Sequence, residues 1–226
     1  MIKKITKILL ILFLFLIIVI LYMSIFGVKT NKFNNQITNN IAKINKKINL
    51  GLNDVTYLLN PYNFTINIKA KKPQILFEGK KLNIKDIQTN ILLKSLVNNQ
   101  FSVDDLKITT EEIKLNDIIA LIRTFQNSPQ LFILDSIIKD GFVKANVNIN
   151  FDKKGNIKED YKIDGFVKKV NLNMLDQANL QNLNFNFNID KNTYSLKQIN
   201  MKLNNIEITS SLIEIEKNKN LFFVNG

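Results

Sequence analysis

The chain is expected to be mainly β, a long antiparallel sheet behind one N-terminal apolar helix, and three stretches carry that expectation. Asn182 to Asp190 alternates without a break, placing Leu183, Phe185, Phe187 and Ile189 on one side of an extended chain and polar groups on the other. Val143, Ala145, Val147, Ile149 and Phe151 do the same against Lys144, Asn146, Asn148 and Asn150. Ile8 to Phe26 is an apolar run without a charge. Asn is a poor strand residue, but a sustained period of two outweighs local propensity. Removing Leu183, Phe185, Phe187 and Ile189 from water is worth roughly 6 to 10 kcal/mol, at about 1.5 to 3 kcal/mol each, so something must cover this face.

Taken in order, residues 1–7 form a short basic start with Lys3, Lys4 and Lys7. Residues 8–28 read as a single membrane span, with Ile8, Leu12, Leu16, Ile20 and Phe26 among its anchoring residues; a run of this length crosses about 30 Å of hydrocarbon. The rival reading is a signal peptide, whose apolar region is typically only about 7 to 15 residues. Ser24-Ile25-Phe26-Gly27 makes a poor cleavage site, which favours the uncleaved anchor. Lysines flank both ends of the span, and a long domain translocates largely regardless of its charge, so the N-terminus is expected in the cytoplasm and residues 29–226 outside.

From Thr30 to Lys47 the spacing of Phe33, Ile37, Ile41, Ile44 and Ile48 predicts an amphipathic helix packed over the first strands. The period then changes to two. Ile48 to Leu52, Val55 with Tyr57, Phe64 to Ala70 and Gln74 to Glu78 are strands, broken at Asn60-Pro61 and Pro73. Gly79-Lys80 turns into Leu82 and Ile84, and short apolar pieces continue to Leu115. Asn116 and Asp117 signal the cap of a short helix over Ile118 to Phe125, ended by Ser128-Pro129. Leu131 to Lys139 has no decisive period, and Asp140-Gly141 reads as a turn. Asp152 to Asn156 closes a hairpin onto Tyr161, Ile163 and Gly165, and Leu172 to Asn179 reads as loose chain. Turns at Lys191-Asn192-Thr193 and Asn204-Asn205 separate the last strands, which end at Leu221 to Val224. An uncapped strand there calls for a partner, an outer-membrane or periplasmic protein, or for continuation in a longer chain.

Composition narrows the chemistry. The chain has no Cys and no His, which removes thiolate and imidazole ligands, disulfides, Cys nucleophiles and His bases. No metal, no cofactor and no catalytic residue is expected. The adjacent acids Asp104-Asp105 and Glu111-Glu112 point to opposite faces of a strand and do not converge on one substrate. A net charge of +12 raises the question of nucleic acid, but the lysines are scattered and no recognisable nucleic-acid module is present. Codon bias toward Ile, Asn and Lys, or attraction to anionic headgroups, explains the charge.

The order of basic start, uncleaved anchor, amphipathic helix and strands is marked by Leu82-Asn-Ile-Lys-Asp-Ile-Gln-Thr-Asn-Ile-Leu-Leu-Lys-Ser-Leu96, Phe101-Ser-Val-Asp-Asp-Leu-Lys-Ile108 and Lys139-Asp-Gly-Phe-Val143. It resembles the N-terminal part of the AsmA-like family, which includes TamB-type envelope proteins. That resemblance implies a single-pass inner-membrane protein with its bulk in the periplasm. The sheet would curve into an elongated groove along which phospholipid acyl chains pass toward the outer membrane. Val143, Ala145, Val147, Ile149, Phe151, Leu183, Phe185, Phe187 and Ile189 are then the expected lining. The alternatives are a self-filled sandwich core made of the same residues, an envelope assembly factor holding barrel proteins on its strand edges, and a purely structural anchored domain.

Overall fold

The structure, a computed structural model, describes residues 2–32, 34–35, 38–39, 48–77, 79–94, 103–125, 128–152, 156–174, 178–218 and 221–226. Helix α1 (Ile2–Ile25) leads into β1 (Val28–Lys29), β2 (Ile48–Gly51), β3 (Asp54–Asn60), β4 (Thr65–Lys71), β5 (Gln74–Phe77), β6 (Lys80–Leu92), β7 (Val103–Thr110) and β8 (Ile113–Lys114). Helices α2 (Leu115–Phe125) and α3 (Pro129–Ile137) follow. The chain then runs up and down through β9 (Ile138–Asn150), β10 (Lys162–Met174), β11 (Ala178–Ile189), β12 (Thr193–Leu203), β13 (Ile206–Asn218) and β14 (Leu221–Asn225). All fourteen strands belong to one antiparallel sheet, ordered β1-β3-β4-β6-β7-β9-β10-β11-β12-β13-β14, with β2, β5 and β8 off that path. The sheet is open, because its two edges, at β1/β3 and at β14, do not pair with each other.

Helix α1 is long and apolar enough, over Lys4–Ile25, to cross a membrane, and none of that window is buried. It includes the basic residues Lys4 and Lys7 and ends before Phe26, so Val28, counted above within the span, belongs instead to β1. No flexible linker separates helix from sheet. Gly27 takes φ +68°, a conformation that only glycine adopts without cost, and a Cβ there would lie 2.8 Å from the Tyr57 carbonyl oxygen. Val28 and Lys29 pair at once with Tyr57 and Thr56. One side of the last turns of α1, at Val19, Ile20, Met23 and Ser24, is half-buried, and the helix packs on β3.

Most of the helix expected over Thr30 to Lys47 lies outside the described residues, including Phe33, Ile37, Ile41 and Ile44. Two described side chains tie its segment to β2: the Asn34 amide donates to the Leu52 carbonyl at 2.7 Å and the Thr38 hydroxyl to Leu50 at 2.9 Å. Phe64, placed above within a strand, sits in the β3–β4 turn with φ +51°. The pieces expected from Leu82 to Leu92 form one strand that pairs first with β5 and then with β4.

Ser128-Pro129 begins a helix rather than only ending one. Ser128 accepts a hydrogen bond from the Leu131 N–H and Pro129 occupies the first turn, where its missing N–H costs nothing. Of the residues without a decisive period, Leu131 to Ile137 are therefore in α3, and Ile138 and Lys139 open β9. Asp140-Gly141 is not a turn but an irregular point inside β9, and of the segment read as loose, Leu172 to Met174 belong to β10 and Ala178 and Asn179 to β11. In both places cross-strand pairing overrides local turn chemistry.

The best-packed cluster joins Phe77, Leu82, Ile84 and Ile113, with Ile87, Ile108, Ile118 and Leu121 against it, so α2 lies on the apolar side of β6, β7 and β8. Arg123 of α2 pairs with Asp135 of α3 and stands 5.3 Å from the Phe132 ring centroid, tying the two helices together. Gly27→Ala is expected to lower stability by more than about 1 kcal/mol, through both its left-handed backbone and the clash with β3. Thermal unfolding followed by circular dichroism, with protease cleavage at the α1–β1 junction as a second readout, measures it.

Candidate functional site

Two neighbouring rows of residues cross the sheet side by side, and their chemistry is opposite. One row takes Val55, Ala70, Ile87, Ile108 and Val147 from β3, β4, β6, β7 and β9. It continues through Ile163, Ile189, Tyr194, Ile215 and Val224 of β10 to β14. The next row, one residue along every strand and so on the other face, is Asp54, Lys71, Asp86, Thr109 and Asn146. It continues through Asp164, Asn188, Ser195, Glu214 and Asn225. Strands lie about 4.8 Å apart, so the apolar row runs roughly 43 Å from end to end.

Further apolar rows flank it. On one side Tyr57, Ile68, Leu106 and Ile149 share a row with Thr89. On the other, Ala145, Gly165, Phe187, Leu196 and Ile213 form a row, and Ile113, Val143, Val167 and Phe185 the next. The structure therefore brings Val143, Ala145, Val147, Ile149, Phe185, Phe187 and Ile189 onto one continuous face. Leu183 joins them opposite the buried Val170, and Phe151 lies just past β9, bridged to Ile157. The neighbours from β10, β12 and β13, such as Ile163, Leu196 and Ile213, were visible in the sequence as alternation. Only the turn lengths, through the register, show which of them line the same patch.

Burial along the face is graded. Val55 and Ala70 are buried, Ile87, Ile108, Val147, Ile163, Ile189, Tyr194 and Ile215 are half-buried, and Val224 is exposed. Every predicted lining residue from Val143 to Ile149 and from Leu183 to Ile189 is half-buried, and none belongs to the buried core. A sandwich core would enclose them on the second side. Among the described residues no second sheet faces this one; α2 packs over the Phe77, Leu82, Ile84 and Ile113 cluster, and α2 and α3 lie against β8, the start of β9 and the last part of β10, where Ile138, Val167 and Val170 are buried. Burial also raises the Tyr57 phenol above its ordinary value, in keeping with a low-polarity surface around it.

Phe187 covers Gly165 across the strand pair: a Cβ built at Gly165 would come within 2.9 Å of the Phe187 ring and collide with the Lys144 carbonyl oxygen. Phe185 meets Phe187 edge to face, with centroids 6.4 Å apart. A line of irregularity crosses the same region. Gly141 in β9, Lys169 in β10, Asn182 in β11 and Gln198 in β12 all have positive φ, and the register shifts beside Lys169 and Asn182. Asparagine side chains take up the backbone groups released there. Asn184 accepts from the Lys169 N–H at 2.9 Å, Asn171 accepts from the Asn182 N–H at 3.0 Å, and the Asn184 amide reaches Asn200 at 2.8 Å. Asn182, the first residue of the stretch read as unbroken alternation, is thus a bulge, which bends a strand and increases its twist.

The acids do not gather. Asp105 accepts from the backbone and side-chain nitrogens of Asn90 and stands 3.6 Å from Lys107, while Glu112 stands 3.8 Å from Lys168. Among the described residues, no cluster of His, Cys, Asp or Glu able to hold a metal ion occurs.

Fold and face together define a class: an open antiparallel sheet with one apolar face that the described helices cover only in part, attached without a linker to a helix long and apolar enough to cross a membrane. Comparison of the chain with protein-family models, with curated proteins and with solved structures returns no match. Because the Phe187 ring is only half-enclosed, Phe187→Ala is expected to cost about 1 to 2 kcal/mol, below the roughly 3 to 5 kcal/mol of a fully enclosed Phe. Denaturant titration in detergent measures this, and a larger loss would indicate a closed core.

Proposed function

We propose that this is an inner-membrane-anchored, periplasmic protein that holds phospholipid acyl chains on the apolar face of its sheet and conducts them along it, supporting the lipid balance of the outer membrane. The observation that carries the reading is an apolar face whose lining is half-buried and, among the described residues, roofed only at one end, while the opposite face carries the polar row from Asp54 to Asn225. Burying one sixteen-carbon chain, at about 0.8 kcal/mol per methylene, gains roughly 12 kcal/mol. That gain is spread over many equivalent contacts, so a chain can slide from strand to strand without one deep well to hold it. Headgroups remain in water along the open side. The sequence resemblance to AsmA-like proteins points the same way, and α1 supplies the attachment.

A photoreactive phenylalanine analogue at Phe187 is expected to cross-link phospholipid in membranes, whereas the same group at Asn186, on the opposite face, is not. Mass spectrometry of lipids retained by the detergent-extracted protein is the companion measurement. If Phe185→Asp and Phe187→Asp proteins stay folded and retain as much lipid as the parent, the assignment of this face is wrong.

A second reading has its own observation. Leu221, Phe222, Phe223 and Val224 of the edge strand β14 are all exposed, and one side of that strand has no partner among the described residues. Such an edge accepts an added strand, which would suit an assembly factor for outer-membrane proteins. Recovery of barrel precursors without phospholipid in a pull-down is the result that would favour it.

A further inference from the structure

The tip of the β3–β4 hairpin pairs unusual exposure with unusual backbone geometry. Tyr62 is 93% exposed and Phe64 is 69% exposed. The turn is fixed rather than loose: Asn60 Oδ1 accepts the backbone N–H groups of Tyr62 and Asn63 at 3.1 and 3.3 Å, and the Phe64 carbonyl accepts from the Leu93 N–H at 2.8 Å. Phe64 holds φ +51°, a conformation costly for a bulky side chain and easy for Gly or Asn. Residues 55–68, which contain this tip, are free of charge in a chain that is 22% charged.

The position of the tip supplies the partner. β1 runs from Val28 opposite Tyr57 to Lys29 opposite Thr56, and Thr30 bonds the Val55 carbonyl, so the chain moves away from the tip as it leaves α1. The helix before it therefore approaches β3 from the tip side and packs on that strand, with Val19, Ile20, Met23 and Ser24 half-buried. Two exposed aromatic side chains thus lie at the end of β3 from which the helix long and apolar enough to cross a bilayer arrives. Aromatic rings with an apolar body and, for Tyr, a polar end favour the headgroup level of a membrane.

We propose that Tyr62 and Phe64 enter the interfacial layer of the bilayer crossed by α1, giving the sheet a second, fixed point of membrane contact. The proposal rests on the reading of α1 as a membrane anchor. With the helix on one side and the hairpin tip on the other, the first strands are held at a set angle to the bilayer, and the apolar face begins at the membrane surface.

The chain contains no Trp, so single Trp substitutions report on one site at a time. Full-length Tyr62→Trp and Phe64→Trp proteins are reconstituted in phosphatidylcholine–phosphatidylglycerol vesicles with brominated acyl chains. Both are expected to show blue-shifted emission and marked quenching by the brominated lipid. Phe132→Trp, on α3 at the opposite end of the strands, is expected to emit as in water and remain unquenched. Phe15→Trp, within α1, reports on the anchor itself. Quenching at position 15 but not at 62 or 64 overturns the proposal and leaves the anchor standing, whereas no quenching at any of the three overturns both. A Tyr62→Trp/Phe64→Asn protein, whose Asn accepts the left-handed turn, should be at least as heat-stable as Tyr62→Trp alone yet less quenched. A large loss of stability in it would assign Phe64 a folding role and overturn the proposal.

Discussion

A sheet with a greasy side and a wet side normally hides the greasy side against another layer, because each apolar side chain left in water forgoes about 1.5 to 3 kcal/mol. Here the row from Val55 to Val224 crosses the sheet without a polar break other than the Tyr194 hydroxyl, next to a row from Asp54 to Asn225 without an apolar one. Among the described residues, α2 and α3 cover only one end of that face. The tension between this apolar surface and the partial cover among the described residues governs the other features: why the lining stops half-buried, and why an apolar helix docked without slack matters.

The polar face is built differently. Its Asn, Lys and Asp residues pair across strands, as Asn146 does with Asp164 at 2.9 Å and Asn67 with Asn90 at 3.0 Å. Individually such bonds contribute little to stability. Collectively they make the two faces inequivalent, so a slip of one residue in any strand would turn charges onto the apolar side and lose several side chains from it. Register is thus enforced from both faces, even where the apolar one lacks a cover.

Period two was legible in the sequence, and with it the strands and which residues of β9 and β11 share a face; the helix over Ile118 to Phe125 and the apolar N-terminal helix were legible too. What sequence reading missed has physical reasons. Asp-Gly is turn chemistry, yet at Asp140-Gly141 the partner strand holds the chain extended around a single left-handed residue. α3 has apolar residues on all sides and no buried ones, so it shows no helical stripe; Ser128-Pro129 was its only signal, and it also marks the end of a helix. The abundance of Asn, read as composition, turns out to have structural work at Asn171, Asn182 and Asn184, where amides replace missing ladder bonds. Which apolar residues meet across strands depends on register, and register depends on turns and bulges that alternation alone does not count.

That line of left-handed residues through Gly141, Lys169, Asn182 and Gln198 has a mechanical meaning. Between β3 and β4, β4 and β6, and β12 and β13 the backbone ladders are regular and resist bending; along this line side-chain amides do part of the stitching, and they swing more freely than peptide groups. The sheet therefore has a crease running across four adjacent strands, stiff panels on either side of it, and its easiest deformation is folding along that crease. A surface creased in this way changes its concavity at low cost, opening or tightening around whatever lies on it while leaving every strand pair intact.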